Sequence, residues 1–226
     1  MKIGILQTGR SPNSIREKHG DYDEFFKRYL AGRGFTFDTF AVLDGTLPNA
    51  PQSADGWLIT GSRFGAYEDH DWIPPLEEFL RETFAAGLPI FGVCFGHQIL
   101  AQALGGKVEK FPGGWSVGPA AYDSTLLGRQ TMIAWHQDQV TERPKMAEVI
   151  GSSDFCENAI LAYGDQALTI QPHPEFTADF MGDLLEARGG MLPEHIRNRA
   201  AATKDEPLTR SSFADTVEAF FKQHQQ

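Results

Sequence analysis

A cysteine framed by glycines is the residue whose type and spacing best suit it to covalent chemistry. Cys94 lies between Gly92 and Gly96, after the apolar run 88–91 and before residues 98–104, which have the pattern of a helix. A strand, a sharp turn with a nucleophile at its apex and a helix make a nucleophile elbow, in which a side chain two residues to either side would collide with the strained turn. The helix would direct free N–H groups and its positive end at the sulfur, which favours the reactive thiolate.

A second interpretation of Cys94 stays open on these residues alone. Cysteine is among the most buried residue types, and a buried free cysteine is commonly inert. A catalytic cysteine needs a base near the thiol and a group that orients the base, so the rest of the chain has to supply both.

A histidine and a carboxylate separated by one proline are candidates for that base and its partner. Residues 171–176 read Gln-Pro-His-Pro-Glu-Phe and begin at the end of a predicted strand. His173 and Glu175 alternate along an extended segment stiffened by two prolines, so both side chains can point to the same side. Imidazole has a pKa near neutrality, which suits a base, and a carboxylate would fix its tautomer. The alternative is a turn with a solvated histidine.

Taken together, residues 92–98 and 173–175 resemble the class I (triad-type) glutamine amidotransferases. The similarity runs from the first predicted strand to the helix after Glu175. It implies that Cys94 attacks the γ-carbonyl carbon of glutamine or of a γ-glutamyl amide, that His173 is the base and that Glu175 orients it. It also implies a γ-glutamyl thioester, release of ammonia or an amine, and then glutamate, with no cofactor or metal required.

The resemblance implies further site residues around this triad. The oxyanion donors would be the backbone N–H groups of Gly61 and Phe95, and such a donor is typically worth about 10²–10³ in rate. Gln98 would help to hold the glutamyl part of the substrate. Other positions that match pocket-lining segments of the family are Trp115, Ser116, Val117 and His136.

Several other residues that could carry chemistry are assigned simpler roles. His97 follows the elbow too closely to face the pocket and is interpreted as structural. His136 with Asp138 could form a second dyad, but a loop role near the pocket mouth is preferred. Residues 68–71 are rich in possible metal ligands, yet sequential neighbours seldom converge on one ion, so no metal site is predicted. Cys156 lacks framing glycines and is expected to be inert.

Bulk properties narrow the class of protein. The chain has 226 residues, a formal net charge of -10 and a pI of about 5.1. An acidic chain has no basic field for phosphates, so neither a nucleic acid nor a membrane surface is an expected partner, and no apolar run approaches the ~20 residues of a membrane helix. Two cysteines imply no disulfide framework, and the N-terminus lacks the features of a signal peptide. We therefore expect one domain, residues 1–226, in the cytoplasm.

The order of predicted elements indicates an α/β fold. Strands and helices alternate in the first half, which favours a mostly parallel central sheet with helices on both faces, in a flavodoxin-like three-layer arrangement. Short strands with few helices between them follow in the second half and predict a small antiparallel meander. Cys94 would then lie at the carboxyl end of a strand, where such sheets place their active sites.

Three functions remain open at this point. Residues 61–67 and 71–73 resemble the stand-alone branch that includes γ-glutamyl peptidases, which predicts a hydrolase acting on a small-molecule substrate. The GMP synthase glutaminase domain is another close relative, although it usually has Gly-Gly-Pro where this chain has Thr60-Gly61-Ser62. A glutaminase subunit that delivers ammonia to a separate synthase chain is the second possibility. A catalytically silent binding member of the same fold is the third.

Overall fold

The structure, a computed structural model, describes residues 1–224 and contains eleven strands and seven helices within that range. The strands are β1 (Lys2–Gln7), β2 (Thr36–Ala41), β3 (Gly56–Ile59), β4 (Ile90–Val93), β5 (Lys107–Lys110), β6 (Ser116–Ser124), β7 (Gly128–His136), β8 (Asp138–Glu142), β9 (Glu148–Ser152), β10 (Ile160–Tyr163) and β11 (Ala167–Ile170). The helices are α1 (Asn13–His19), α2 (Tyr22–Tyr29), α3 (Ile73–Ala85), α4 (Phe95–Ala103), α5 (Ala178–Arg188), α6 (Glu194–Thr203) and α7 (Arg210–Lys222). None of the described helices combines the length and apolarity needed to span a bilayer.

Nine of the described strands form one sheet in the order β2-β1-β3-β4-β11-β10-β9-β6-β7. The neighbours from β2 to β11 pair in parallel, and those from β11 to β7 pair antiparallel. β5 and β8 form a separate antiparallel pair. The predicted α/β fold is therefore confirmed, and most strands of the predicted meander continue the large sheet rather than standing apart from it.

Helices cover both faces of the parallel part of this sheet because its central strands bury both sets of side chains. In β3, Trp57 and Ile59 pack with α3 and α4, whereas Leu58 points to the other face and packs with α2 and α7. Gly4 in β1 leaves the space that the indole fills, since a Cβ there would lie 2.2 Å from the ring of Trp57. A third cluster joins α5 and α6 to β6 and β7.

Three local elements differ from the sequence prediction. α1 lies inside the polar stretch 8–20, whose residue pattern predicts a loop, and its seven residues bury only Ile15. β8 was not predicted, because its five residues are mostly polar and flank a single apolar side chain, Val140. α4 begins at Phe95 rather than Gln98. This earlier start makes Cys94 the N-cap residue of the helix.

Candidate active site

The backbone at Cys94 adopts a conformation that only glycine tolerates easily. Its φ is 53° and its ψ is -103°, and among residues 1–224 it is the only non-glycine residue with positive φ. Its N–H donates to the carbonyl of Ile170 at 2.8 Å, and its carbonyl accepts from the N–H of Gln98 at 3.0 Å. The turn is thus fixed on one side by the β4–β11 ladder and on the other by the first turn of α4. Strain of this kind persists where the surroundings enforce it, as they do here.

The two framing glycines are sterically required by the elbow. A Cβ on Gly92 would lie 2.6 Å from the carbonyl oxygen of Gly96. A Cβ on Gly96 would lie 2.5 Å from the carbonyl oxygen of Ile59 in β3. Both distances are shorter than any real Cβ contact, so the glycine spacing read from the sequence has a direct structural cause.

His173 and Glu175 follow β11, the strand beside β4. The Nδ1 atom of His173 lies 2.7 Å from Oε1 of Glu175, and both residues are buried. The N–H of His173 donates to the carbonyl of Ile133 in β7 at 2.8 Å. Its ring stacks on Phe176, with the ring centroids 4.0 Å apart and the planes 3° from parallel. The imidazole is therefore held by a carboxylate, a strand and an aromatic face together.

Charge around His173 favours the imidazolium. Burial by itself would lower its pKa, but the nearby negative charge, that of Glu175 above all, and the hydrogen bond to Glu175 outweigh burial and raise the pKa to about 10. A charged histidine beside a cysteine is a common arrangement for a cysteine nucleophile. The structure thus brings Cys94, His173 and Glu175 into one chain of contacts.

Gly61 lies against both Cys94 and His173. A Cβ on Gly61 would be 2.9 Å from Cε1 of His173 and 3.7 Å from the Cβ of Cys94. Phe95 is fully buried at the first position of α4, where backbone N–H groups have no partner inside the helix. The two residues predicted as oxyanion donors thus flank Cys94, and their role in binding an oxyanion stays a prediction.

A cleft of about 240 Å³ opens above Cys94 and His173. Ser62, Phe64 and Tyr67 from the loop after β3 form one wall. The loop after β3 therefore borders the space next to Cys94 and His173.

Comparison with known proteins now settles the family. The sequence model of "Glutamine amidotransferase class-I" matches residues 21–188. This chain belongs to the class I glutamine amidotransferase family. The membership predicted from residues 92–98 and 173–175 is confirmed.

Individual relatives agree with this assignment. Gamma-glutamyl peptidase 3 of Arabidopsis thaliana is 30% identical over 209 residues, which cover 84% of each chain. A GMP synthase (glutamine-hydrolyzing) of Azoarcus sp. (strain BH72) is 33% identical over 149 residues, covering 59% of this chain and 28% of that enzyme. The crystal structure of a glutamine amido transferase from Methylobacillus flagellatus superposes with a TM-score of 0.80 at 20% identity, covering 100% of this chain and 95% of the other, and shows the same fold.

Of the pocket residues that the amidotransferase resemblance predicts, Gln98, Trp115 and His136 line the cleft. The side-chain amide of Gln98 donates to the carbonyl of Asp138 at 2.9 Å and to Oε1 of Gln171 at 3.1 Å. Burial and the charge of His173 lower the pKa of His136 to about 3, and neither of its ring nitrogens has a partner among the described residues. His136 is therefore neutral, and its ring nitrogens are buried at the edge of the cleft.

The structure does not bring Ser116 and Val117 to the cleft of this amidotransferase. Both lie in β6 and face a different surface depression, beside Arg129 and Arg199. Trp115, the residue before them, lines the cleft. That the backbone of this segment contacts the substrate stays a prediction.

The remaining candidates occupy structural settings. Nδ1 of His97 lies 2.8 Å from the hydroxyl of Thr169, and burial lowers the pKa of His97 to about 3. Burial raises the pKa of Cys156 to about 12, so this cysteine stays a thiol at neutral pH. Within residues 1–224, one group with metal-ligand spacing consists of His19, Asp179 and Asp183. The ammonium of Lys18 pairs with both of these aspartates, at 3.1 Å and 2.7 Å, so ion pairing accounts for the cluster.

Two arginines that line the cleft are not among the site residues predicted from the sequence. Arg63 follows β3 in the loop, and Arg188 is the last residue of α5. An arginine at a helix C-terminus ordinarily complements the helix dipole, so nothing local distinguishes Arg188 from a capping residue. Its position at the cleft depends on how α5 packs, which is a long-range property.

Proposed function

We propose that this amidotransferase-family chain is a hydrolase that cleaves the γ-glutamyl amide bond of a γ-glutamyl compound through a thioester on Cys94. The observation that carries the proposal is that Cys94 and His173 line one cleft while Nδ1 of His173 lies 2.7 Å from Oε1 of the buried Glu175. Similarity to a γ-glutamyl peptidase over 84% of each chain supports the choice of substrate class. We further infer that residues 1–226 act as one catalytic domain, because α7, beyond the matched segment 21–188, packs into the same core as β1.

The residues present suffice for each half of the reaction. The Cys94 thiolate attacks the γ-carbonyl carbon, a C–S bond forms, and the carbonyl electron pair moves to oxygen beside the N–H groups of Gly61 and Phe95. The imidazolium of His173 then gives its proton to the leaving nitrogen as the C–N bond breaks. In the second half, His173 accepts a proton from water, the water oxygen attacks the thioester carbon, and the C–S bond breaks to release glutamate.

Charges at the cleft support a leaving group that carries a carboxylate. Neither Arg63 nor Arg188 forms an ion pair among the described residues; the guanidinium of Arg63 lies 4.7 Å from the ring centroid of Phe64 instead. Two acidic side chains, Glu68 and Asp138, line the same cleft. A γ-glutamyl group brings one α-ammonium and one α-carboxylate. A second carboxylate on the leaving amine, as in a dipeptide, would give the other arginine a partner, whereas ammonia from glutamine would not.

A second candidate is a glutaminase subunit whose ammonia goes to a separate synthase chain. The 33% identity to a GMP synthase over 149 residues favours it. In this case the purified chain would act weakly alone, and a synthase partner would raise its activity.

The two candidates are separated by the products that the purified chain releases. We would measure alanine release from γ-glutamylalanine and ammonia release from glutamine, with Cys94→Ala as the matched inactive control. Fast dipeptide hydrolysis with slow glutamine turnover supports the stand-alone hydrolase. Weak activity on both that rises with an added synthase supports the subunit. Full activity of Cys94→Ala would exclude the thioester mechanism, and equal alkylation rates at Cys94 and Cys156 would favour a silent binding protein.

A further inference from the structure

Two buried threonines lie at the carboxyl ends of β1 and β3, next to Gly61. Thr8 and Thr60 both have 0% exposure. The hydroxyl of Thr8 lies 2.9 Å from the carbonyl oxygen of Thr60, and the N–H of Thr8 donates to Oγ1 of Thr60 at 3.0 Å. Oγ1 of Thr60 in turn lies 3.1 Å from the carbonyl oxygen of Gly61. These contacts join the ends of β1 and β3 just before the loop that lines the cleft next to Cys94.

The protons of this network can be assigned by counting donors. Each hydroxyl has one proton to donate. The hydroxyl of Thr60 already accepts from an N–H, and its own proton can satisfy the carbonyl of Gly61. The proton of Thr8 then goes to the carbonyl of Thr60, which is its shortest contact; its distances to Oγ1 of Thr60 and to the carbonyl of Gly61 are 3.2 Å and 3.3 Å. In this arrangement both carbonyls and both hydroxyls have partners.

This assignment fixes the direction of the Gly61 N–H. The Thr60 carbonyl and the Gly61 N–H belong to one planar trans peptide, so they point in opposite directions. β3 lies between β1 and β4 in the sheet. A carbonyl held toward Thr8, at the end of β1, therefore leaves the N–H pointing toward the end of β4, where Cys94 is.

We propose that the hydroxyl of Thr8 is a positioning group for the oxyanion hole: by holding the Thr60 carbonyl, it aims the Gly61 N–H at the oxygen that becomes negative when Cys94 attacks. Thr8 touches neither the nucleophile nor the base; it acts through the peptide plane. The proposal rests on the proposed γ-glutamyl hydrolysis. It assigns to the oxyanion side of the site a residue that no catalytic motif contains.

The test replaces the hydroxyl and keeps the shape. Thr8→Val has the same branched side chain without the donor, and Thr8→Ser keeps the donor and loses only a methyl group. Hydrolysis of γ-glutamylalanine gives kcat and KM, and iodoacetamide alkylation of Cys94 across pH reports the thiolate separately. Alkylation displaces iodide at a saturated carbon and forms no oxyanion, so it is insensitive to the Gly61 N–H.

We expect Thr8→Val to lower kcat by about 10-fold to 100-fold with KM nearly unchanged, less than the loss of about 10²–10³ that follows removal of a donor. The alkylation rate and its pH profile should match the wild type, and Thr8→Ser should recover most of kcat. If Thr8→Val does not fold, Thr8→Ala carries the same comparison with a smaller side chain, and thermal unfolding identifies which variant is usable.

Three results would overturn the inference. Wild-type kcat in a folded Thr8→Val protein would show that the hydroxyl does not matter. A parallel loss of alkylation and turnover would place the effect on the thiol instead of the oxyanion. Absence of any turnover by the wild type, with Cys94 no more reactive than Cys156, would remove the proposed function and this inference with it.

Discussion

The two sides of Cys94 are held in position by different kinds of interaction. On the base side, His173 contacts a buried carboxylate, and Arg210 at the start of α7 donates to the carbonyls of Pro174 and Glu175, both at 3.1 Å. On the oxyanion side, the backbone of Gly61 is held by neutral hydroxyls. In the proposed mechanism the base, His173, gains and loses a proton in every cycle, and nearby charge sets its pKa. The proposed oxyanion donors never change protonation, so they require only a fixed direction.

This contrast separates two kinds of functional defect. A substitution on the base side should change the pH dependence of the thiolate, since it alters the pKa of His173. A substitution on the oxyanion side should change the rate of acyl transfer at every pH and leave the thiolate alone. The following variants test this separation, from the largest expected effect to the smallest.

Glu175→Gln should give the largest effect. The amide keeps the shape but removes the negative charge that most strongly raises the pKa of His173, and burial then pulls that pKa down from about 10. We expect kcat/KM to fall by about 10²–10⁴, as for loss of the orienting carboxylate in related triads. In the proposed mechanism His173 must be protonated to give its proton to the leaving nitrogen, so a lower pKa of His173 should move the alkaline limb of kcat/KM to lower pH.

One outcome for Glu175→Gln would contradict the role that charge is given on the base side. If Glu175→Gln lowered turnover but left the alkaline limb in place, the carboxylate would orient the ring without tuning its charge. Thermal unfolding of the variant serves as the control for folding.

Gly61→Ala should affect both the oxyanion side and the base side. The added Cβ would lie 2.9 Å from Cε1 of His173, so the ring or the strand end has to shift. We expect about a 10²-fold loss of kcat/KM, with alkylation and turnover both reduced. Gly182→Ala in α5 is the matched control, because the added Cβ would meet only Cδ of Lys204, 4.0 Å away. Helix propensity predicts that this control is slightly more stable than the wild type.

The sequence is sufficient to predict the features of the site that depend on local steric constraints. The glycines around Cys94 are needed by the elbow itself, and His173 and Glu175 are only two residues apart, so their types and spacing predict their contact. Thr8 and Thr60 are separated by 52 positions, and Arg210 lies 35 positions from Glu175. Their pairing depends on strand order and on the packing of α7, for which a pattern of residue types contains no information.

Short helices and the ends of strands also could not be predicted from the spacing of apolar residues. α1 has seven residues and one buried side chain, so it offers no apolar stripe, and the ion pairs of Lys18 with α5 hold it in place instead. Ser116 and Val117, at the start of β6, line a different depression from the cleft that Trp115 reaches, and a match between short segments cannot resolve such a difference between neighbouring residues.

Arg210 offers a more moderate test of the base side. Its Nε and Nη2 atoms reach two consecutive carbonyls, which a lysine with a single ammonium cannot match, and the hydroxyl of Tyr29 donates to the Arg210 carbonyl at 2.9 Å. We expect Arg210→Met to lower kcat by about 10-fold, as for a small misplacement of catalytic groups, and to shift the alkaline limb of kcat/KM to lower pH. Arg210→Lys should recover only part of this loss.

Arg33→Met is the matched control for Arg210. Arg33 pairs with Asp215 and Glu218 of α7, so it secures the same helix without touching the triad segment. It should lower thermal stability and leave the alkaline limb unchanged. If both variants shifted the limb equally, general loosening of α7 would explain the effect and Arg210 would have no specific part in it.

Arg188 at the cleft should have the narrowest effect, because it is confined to substrate binding. Its guanidinium is near enough to Tyr22 to lower the pKa of that phenol against the stronger effect of burial, but it forms no ion pair among the described residues. We expect Arg188→Gln to raise KM for γ-glutamylalanine by about 10-fold, the scale of one charged hydrogen bond, with kcat unchanged. KM for γ-glutamylethylamide, whose leaving amine has no carboxylate, should stay the same. An equal rise for both substrates would instead place Arg188 on the α-carboxylate of the glutamyl group, and a change in kcat would mean that the cleft and the two sides of Cys94 are not independent.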